Sequence, residues 1–177
     1  MKKIILTLSL LVTINLLNAE EVTPPKSFTL VTTDEQNITL TETKEGFDIP
    51  KFKGKAVLIA MFGHRCPPCI KEIPEFIELT NKHKEKDDLA IIAIEVQNYP
   101  EDDVKKFATS HNMNYNVIAG INHRDFTSYL ADRAGKPNGV RLPFLVAINK
   151  DGEVEGTQEG KLSQEELEFM VKDLNEF

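Results

Sequence analysis

The run Ala56-Val57-Leu58-Ile59-Ala60-Met61-Phe62 leads through Gly63-His64-Arg65 into Cys66-Pro67-Pro68-Cys69. No other stretch constrains the fold as strongly. A short, wholly apolar and partly β-branched run reads as a buried strand. Behind the cysteines, Ile70, Ile73, Phe76, Ile77 and Thr80 recur at spacings of three and four, which predicts an amphipathic helix to about Lys84. Cys66 therefore falls where a strand hands over to a helix. Pro67 and Pro68 suit the first helical positions, whose N–H groups have no intrahelical partner. Free N–H groups and the helix dipole favour negative charge at a helix N-terminus. A Cys66 thiolate, the species that attacks disulfides, is easier to form there. Cys69 lies one turn inside, close enough to close a small ring with Cys66, and Arg65 adds a fixed positive charge beside the nucleophile.

The strand, the C-P-P-C, the helix and Pro74 five residues after Cys69 together resemble the thioredoxin-like thiol–disulfide oxidoreductases, and within them the TlpA/ResA-type periplasmic branch. The resemblance covers roughly residues 26 to 175. It implies an α/β thioredoxin fold, a central mixed sheet flanked by helices, with an N-terminal β-hairpin extension. It implies protein disulfides as substrates, and a membrane electron carrier of the DsbD or CcdA kind that recharges the dithiol. No cofactor is expected beyond the redox-active Cys66–Cys69 pair, and the expected state is a monomer. Glu72 matches a glutamate that cytochrome-maturation members carry three residues after the second cysteine. Pro143 matches the position of a cis-proline that faces the dithiol. A proline there leaves the N–H and C=O of Leu142 free to pair with an extended substrate segment. An ordinary trans proline opening a strand is the alternative. The family's usual threonine after this proline is Phe144 here, and Arg141-Leu142 replaces its usual glycine, so the groove is bulkier and more apolar.

Residues 1–19 read as a targeting segment: Lys2 and Lys3, a mostly apolar Ile4 to Leu17, and an acceptable cleavage site ending at Ala19. Retention as an uncleaved anchor is the alternative. Either way the domain is exported, to the periplasm or a similar compartment where disulfide chemistry is possible. Residues 20–177 then form one thioredoxin-like domain, a reasonable length for a single core. The formal charge is −7, and loss of the two leader lysines makes it more negative still. Such a domain is a poor candidate for nucleic acid or anionic lipid. Both cysteines of the chain lie in one motif, which leaves no structural disulfide framework. A structural zinc site would want two further ligands at matching spacing, and no second CxxC or HxxxH exists, so no metal is expected.

The remaining pattern is a hairpin from Phe28–Val31 and Ile38–Thr41, a polar loop over 42–55, and a buried strand over 89–96. A helix opens at Pro100, a short strand follows at 116–119, and another helix covers 122–135. Strands at about 144–149 and 154–160 meet at an Asp151-Gly152 turn. The last helix opens on a Ser163/Glu166 capping box with a Leu162/Leu167 staple.

Several residues near the dithiol carry two readings. Glu72 is either a partly buried carboxylate that relays protons to Cys69 and tunes the thiols, or a solvated helix glutamate. His64 either shares protons with Cys66 or is an exposed loop histidine. Arg65 replaces the tryptophan common before the first cysteine, and either depresses the Cys66 pKa or contacts acidic partners. Ala60 stands where thioredoxins proper keep a buried aspartate. Glu95, His83, His111 and His123 read as structural or solvated. The resemblance favours a reductase in cytochrome c maturation. A DsbA-like oxidant is the competing function. Weaker still are a non-catalytic binding module and a peroxiredoxin-type peroxidase, whose P-x-x-x-T-x-x-C arrangement is missing.

Overall fold

The computed structural model describes residues 24–176; the expected targeting segment lies outside them. A three-stranded antiparallel sheet comes first: β1 (Ser27–Val31), β2 (Asn37–Glu42) and β3 (Phe47–Asp48). The main sheet has five strands in the order β6-β5-β4-β7-β8. Its members are β4 (Ala56–Phe62), β5 (Leu89–Glu95), β6 (Asn116–Ala119), β7 (Phe144–Ile148) and β8 (Val154–Glu159). β4, β5 and β6 run parallel, while β7 and β8 are antiparallel additions. Four helices complete the domain: α1 (Pro67–His83), α2 (Glu101–Ser110), α3 (Arg124–Arg133) and α4 (Gln164–Glu176).

The unbroken apolar run of β4 follows from burial on two faces, since alternate residues point opposite ways. Val57, Ile59 and Met61 join a core with Phe126 and Leu130 of α3 and with Leu30, Ile38 and Leu40 of the N-terminal sheet. Ala56, Leu58 and Ala60 join a second core with Phe76 and Leu79 of α1 and Leu167, Val171 and Leu174 of α4. The capping box forms: Ser163 N–H donates to Glu166 Oε2 at 2.7 Å, and Glu166 N–H donates to Ser163 Oγ at 3.3 Å.

The segment 42–55 departs from the polar loop expected. It holds β3 and a 3-10 turn at Pro50–Phe52. Phe47, Ile49 and Phe52 are buried among charged neighbours that face water. Three apolar side chains in a mainly charged stretch give too weak a period to be read without the surface they pack on. The third helix likewise starts at Arg124, because residues 120–122 tighten into a 3-10 turn.

Phe126 links the two sheets. It is fully buried, with its ring 5.1 Å from that of Phe28 and 6.1 Å from that of Phe47. Phe126→Ala is expected to lower the unfolding free energy by about 3–5 kcal/mol, read from urea unfolding at neutral pH. A loss under about 1 kcal/mol would mean that the N-terminal sheet does not share this core.

Candidate active site

The C-terminal ends of β4 and β5 and the N-terminal end of β7 meet at one end of the sheet, where Phe62 lies beside Glu95 and Met61 beside Phe144. β4 is held on both edges, so the chain leaving it is aimed by its neighbours. It makes a turn in which Cys66 N–H donates to the Gly63 carbonyl at 3.1 Å. Cys66 is the N-cap of α1, in extended conformation, and its carbonyl accepts the first helical bond from Ile70 N–H at 3.0 Å. Cys66 and Cys69 are buried and disulfide-bonded, with Cα atoms 5.2 Å apart. Pro67, Pro68 and Arg65 are exposed around them.

The two prolines change the electrostatics of this helix start. Of the first three helical positions, Pro67 and Pro68 carry no N–H, and the Cys66 N–H is already spent on Gly63. The Cys69 N–H is the one first-turn donor left to face the Cys66 sulfur. A thiolate there keeps the helix dipole and Arg65 but loses two of the amide donors that a helix N-terminus ordinarily offers.

The peptide bond Leu142–Pro143 is cis. Pro143 lines a narrow cavity together with Cys69, Glu72, Ala60 and Tyr115. Leu142 packs partly buried against the cluster containing both cysteines. Its N–H and C=O have no hydrogen-bond partner among the described residues.

Glu72 sits one turn beyond Cys69, on the buried face of α1, and is 5% exposed. One carboxylate oxygen, Oε1, accepts the Leu162 N–H at 2.7 Å. Burial pushes its pKa up from the ordinary carboxylate range to about 7; the Leu162 N–H and the Lys161 charge oppose this, and the Glu75 carboxylate adds to it. The solvated reading of Glu72 does not describe this side chain. A carboxyl poised near neutral pH beside a thiol can exchange a proton with it.

His64 is turned to Glu95. Its Nδ1 lies 2.8 Å from Glu95 Oε1, and its ring stacks on Tyr99 with centroids 3.8 Å apart. Glu95 is fully buried, and its carboxylate also accepts the N–H groups of Gln97 and Tyr99, each at 3.0 Å, and that of His64 at 3.4 Å. The Gln97 side chain in turn accepts the Arg65 N–H at 2.9 Å. The loop after β5 thus scaffolds the turn that presents Cys66. The sequence reading of Glu95 as structural or solvated is met in its structural form, whereas Gln97 and Tyr99 were not singled out. The one signal was a charged residue closing an otherwise apolar strand. Among the described residues, no group of three His, Cys, Asp or Glu side chains could hold a metal ion.

The buried Glu72 makes stability pH-dependent in a stated direction. Its folded pKa of about 7 lies above the ordinary value of 4.5. The folded state therefore holds the proton more tightly, and this contribution is fully present below pH 4.5 and lost as pH rises through 7. Relative to wild type, Glu72→Gln is expected to be more stable at pH 8 than at pH 4, by about 3 kcal/mol between the two. Urea unfolding of the oxidised protein at both pH values measures it. An equal difference at the two would mean that this carboxyl titrates normally.

The Redoxin family description matches residues 20–176. The chain is similar to thiol-disulfide oxidoreductase ResA of Halalkalibacterium halodurans, 26% identical over 129 residues, which span 72% of this chain and 67% of that one. It is similar to ResA of Bacillus thuringiensis subsp. konkukian, 32% identical over 127 residues, which span 71% and 66%. The matches thus span about two thirds of these relatives' length. The fold is similar to a thiol:disulfide interchange protein of the thioredoxin family from Chlorobium tepidum TLS, with a TM-score of 0.63 at 25% identity, covering 86% of this chain and 96% of that one. A buried C-P-P-C at a strand-to-helix turn, a cis-proline at its side and these likenesses agree: the chain belongs to the Redoxin family, as a thioredoxin-fold, ResA-like thiol–disulfide oxidoreductase.

Proposed function

We propose that the protein is a reductase of protein disulfides, working in the direction that delivers electrons from the Cys66–Cys69 dithiol to a partner such as apocytochrome c. The observation that carries this reading is the buried Glu72 carboxyl in one cavity with Cys69 and Pro143. It gives the second cysteine its own proton acceptor. The starved amide donors at Pro67 and Pro68 support the same direction, because a less stabilised thiolate makes the pair more reducing.

In the first step the Cys66 thiolate attacks a substrate disulfide whose extended backbone pairs with Leu142. One substrate sulfur leaves as a thiolate, and a Cys66–substrate disulfide forms. Cys69 then gives its proton to the Glu72 carboxylate and attacks Cys66. The Cys66–Cys69 bond forms, the bond to substrate breaks, and the second substrate sulfur leaves as a thiolate. Both thiolates take protons from solvent. Two electrons have passed from dithiol to substrate. A membrane electron carrier of the DsbD or CcdA kind would restore the dithiol by the same exchange. Export to the periplasm rests on the Lys2-to-Ala19 pattern; no helix among the described residues is long and apolar enough to cross a membrane.

The reduction potential of the pair tests the direction. Equilibration in dithiothreitol or glutathione buffers, with alkylation and mass readout, is expected to give about −250 mV or lower. A value near about −120 mV would make the protein a disulfide-forming oxidant. In the same assay Pro68→Ala, which restores one amide donor, is expected to raise the potential by about 30 mV. An unchanged value would mean that this donor does not reach the Cys66 sulfur.

A further inference from the structure

One buried polar group near the dithiol has no part in the mechanism above. Tyr115 lies just before β6, with its ring edge-on to Phe76 of α1, centroids 5.9 Å apart. The segment is fastened to α1, since Asn114 Nδ2 donates to Asn81 Oδ1 at 2.9 Å. The Tyr115 hydroxyl is buried and has no hydrogen-bond partner among the described residues. Such a group is rare in a folded protein unless something meets it.

The cavity that Tyr115 lines measures about 10 Å³ and is shared with Cys69, Glu72 and Pro143. That is the scale of a single water, and a buried water needs two to four polar partners. Three of the residues that line it carry a polar or sulfur atom: Tyr115, Glu72 and Cys69. The remaining wall is apolar where β4 and β5 contribute Ala60 and Ala93. The other polar groups facing Glu72 come from two places. The Leu162 N–H holds Oε1, while Lys161 and Glu75, whose charges act on Glu72, are paired with each other.

We propose that Tyr115 is a positioning residue for the proton transfer at Cys69: with one water in this cavity, its hydroxyl holds the second oxygen of Glu72 and links it to the Cys69 sulfur. The inference rests on the reading of Glu72 as proton acceptor. During resolution the Cys69 thiol gives a proton to the water and the water gives one to Glu72, so the water is unchanged and Cys69 is left as the attacking thiolate. A hydroxyl donating to a carboxylate favours its charged form. Burial holds the Glu72 pKa up and the Tyr115 hydroxyl restrains it, so removing the hydroxyl pushes Glu72 higher.

The test compares the full chain with Tyr115→Phe, Glu72→Gln and the double variant. Phenylalanine keeps the ring and its packing on Phe76, and unfolding midpoints confirm that each variant folds. Two readouts are taken. One is the ¹³C carboxyl titration of Glu72 in the oxidised protein, assigned by its loss in Glu72→Gln. The other is the pH profile of the rate at which the reduced protein cleaves a peptide disulfide, alongside the pH profile of Cys66 alkylation. Tyr115→Phe is expected to move the Glu72 titration and the inflection of the cleavage rate up by about one unit, to reach the wild-type rate at high pH, and to leave Cys66 alkylation unchanged. In the Glu72→Gln background it should add nothing. If Glu72→Gln alters the profile and Tyr115→Phe superimposes on wild type, the role given to Tyr115 is overturned and that of Glu72 stands. If Glu72→Gln also leaves the profile unchanged, the proton-acceptor reading fails, and this inference with it.

Discussion

β4 is paired on both edges and buried on both faces, so its C-terminal end cannot shift without disturbing two cores. The chemistry hangs from that end. The turn into Cys66 leaves β4 directly, Glu95 closes the neighbouring β5, and Pro143 introduces the neighbouring β7. Three segments far apart in sequence are therefore brought together by hydrogen-bond register alone. A rigid sheet end with flexible chemistry attached is the arrangement that open α/β sheets favour for their sites.

Two buried carboxylates flank this point and are treated differently. Glu95 accepts four hydrogen bonds: three from main-chain N–H groups and one with His64. It has little capacity left, and its work is to hold the turn before Cys66. Glu72 accepts one main-chain N–H on one oxygen and lines the small cavity it shares with Cys69 and Tyr115. Burial with so little compensation raises the Glu72 pKa to about 7. The two acids differ in their partners rather than in their burial.

The dithiol combines opposing influences. The helix dipole and Arg65 favour a Cys66 thiolate, while Pro67 and Pro68 withdraw two amide donors from it. A hydrogen bond to a charged group contributes about 1.5–3 kcal/mol. A dipole effect at an exposed helix end is typically 0.3–1 kcal/mol. Loss of a donor is therefore of larger scale than the dipole it opposes, which is the physical basis of the reductase proposal.

The elements around the motif were legible in the sequence because each carries its own period or cap: the apolar run of β4, the stripe of α1, the Ser163/Glu166 box of α4. The dithiol was legible from its place at a strand-to-helix turn, whereas Pro143 and Glu72 were singled out by the family resemblance, and Glu72 was left between a buried and a solvated reading until the fold placed it. β3 was missed because Phe47, Ile49 and Phe52 gain their meaning only from the core they enter. The tie between His64 and Glu95 was missed because 31 residues separate them and the parallel pairing of β4 with β5 alone makes them neighbours. Tyr115 was missed for the same reason, since nothing near it in sequence reveals a cavity against Glu72. Local chemistry, set by spacing along the chain, was decided by the sequence itself. How many N–H donors each buried acid receives was decided only by the tertiary fold, which gives three to Glu95 and one to Glu72.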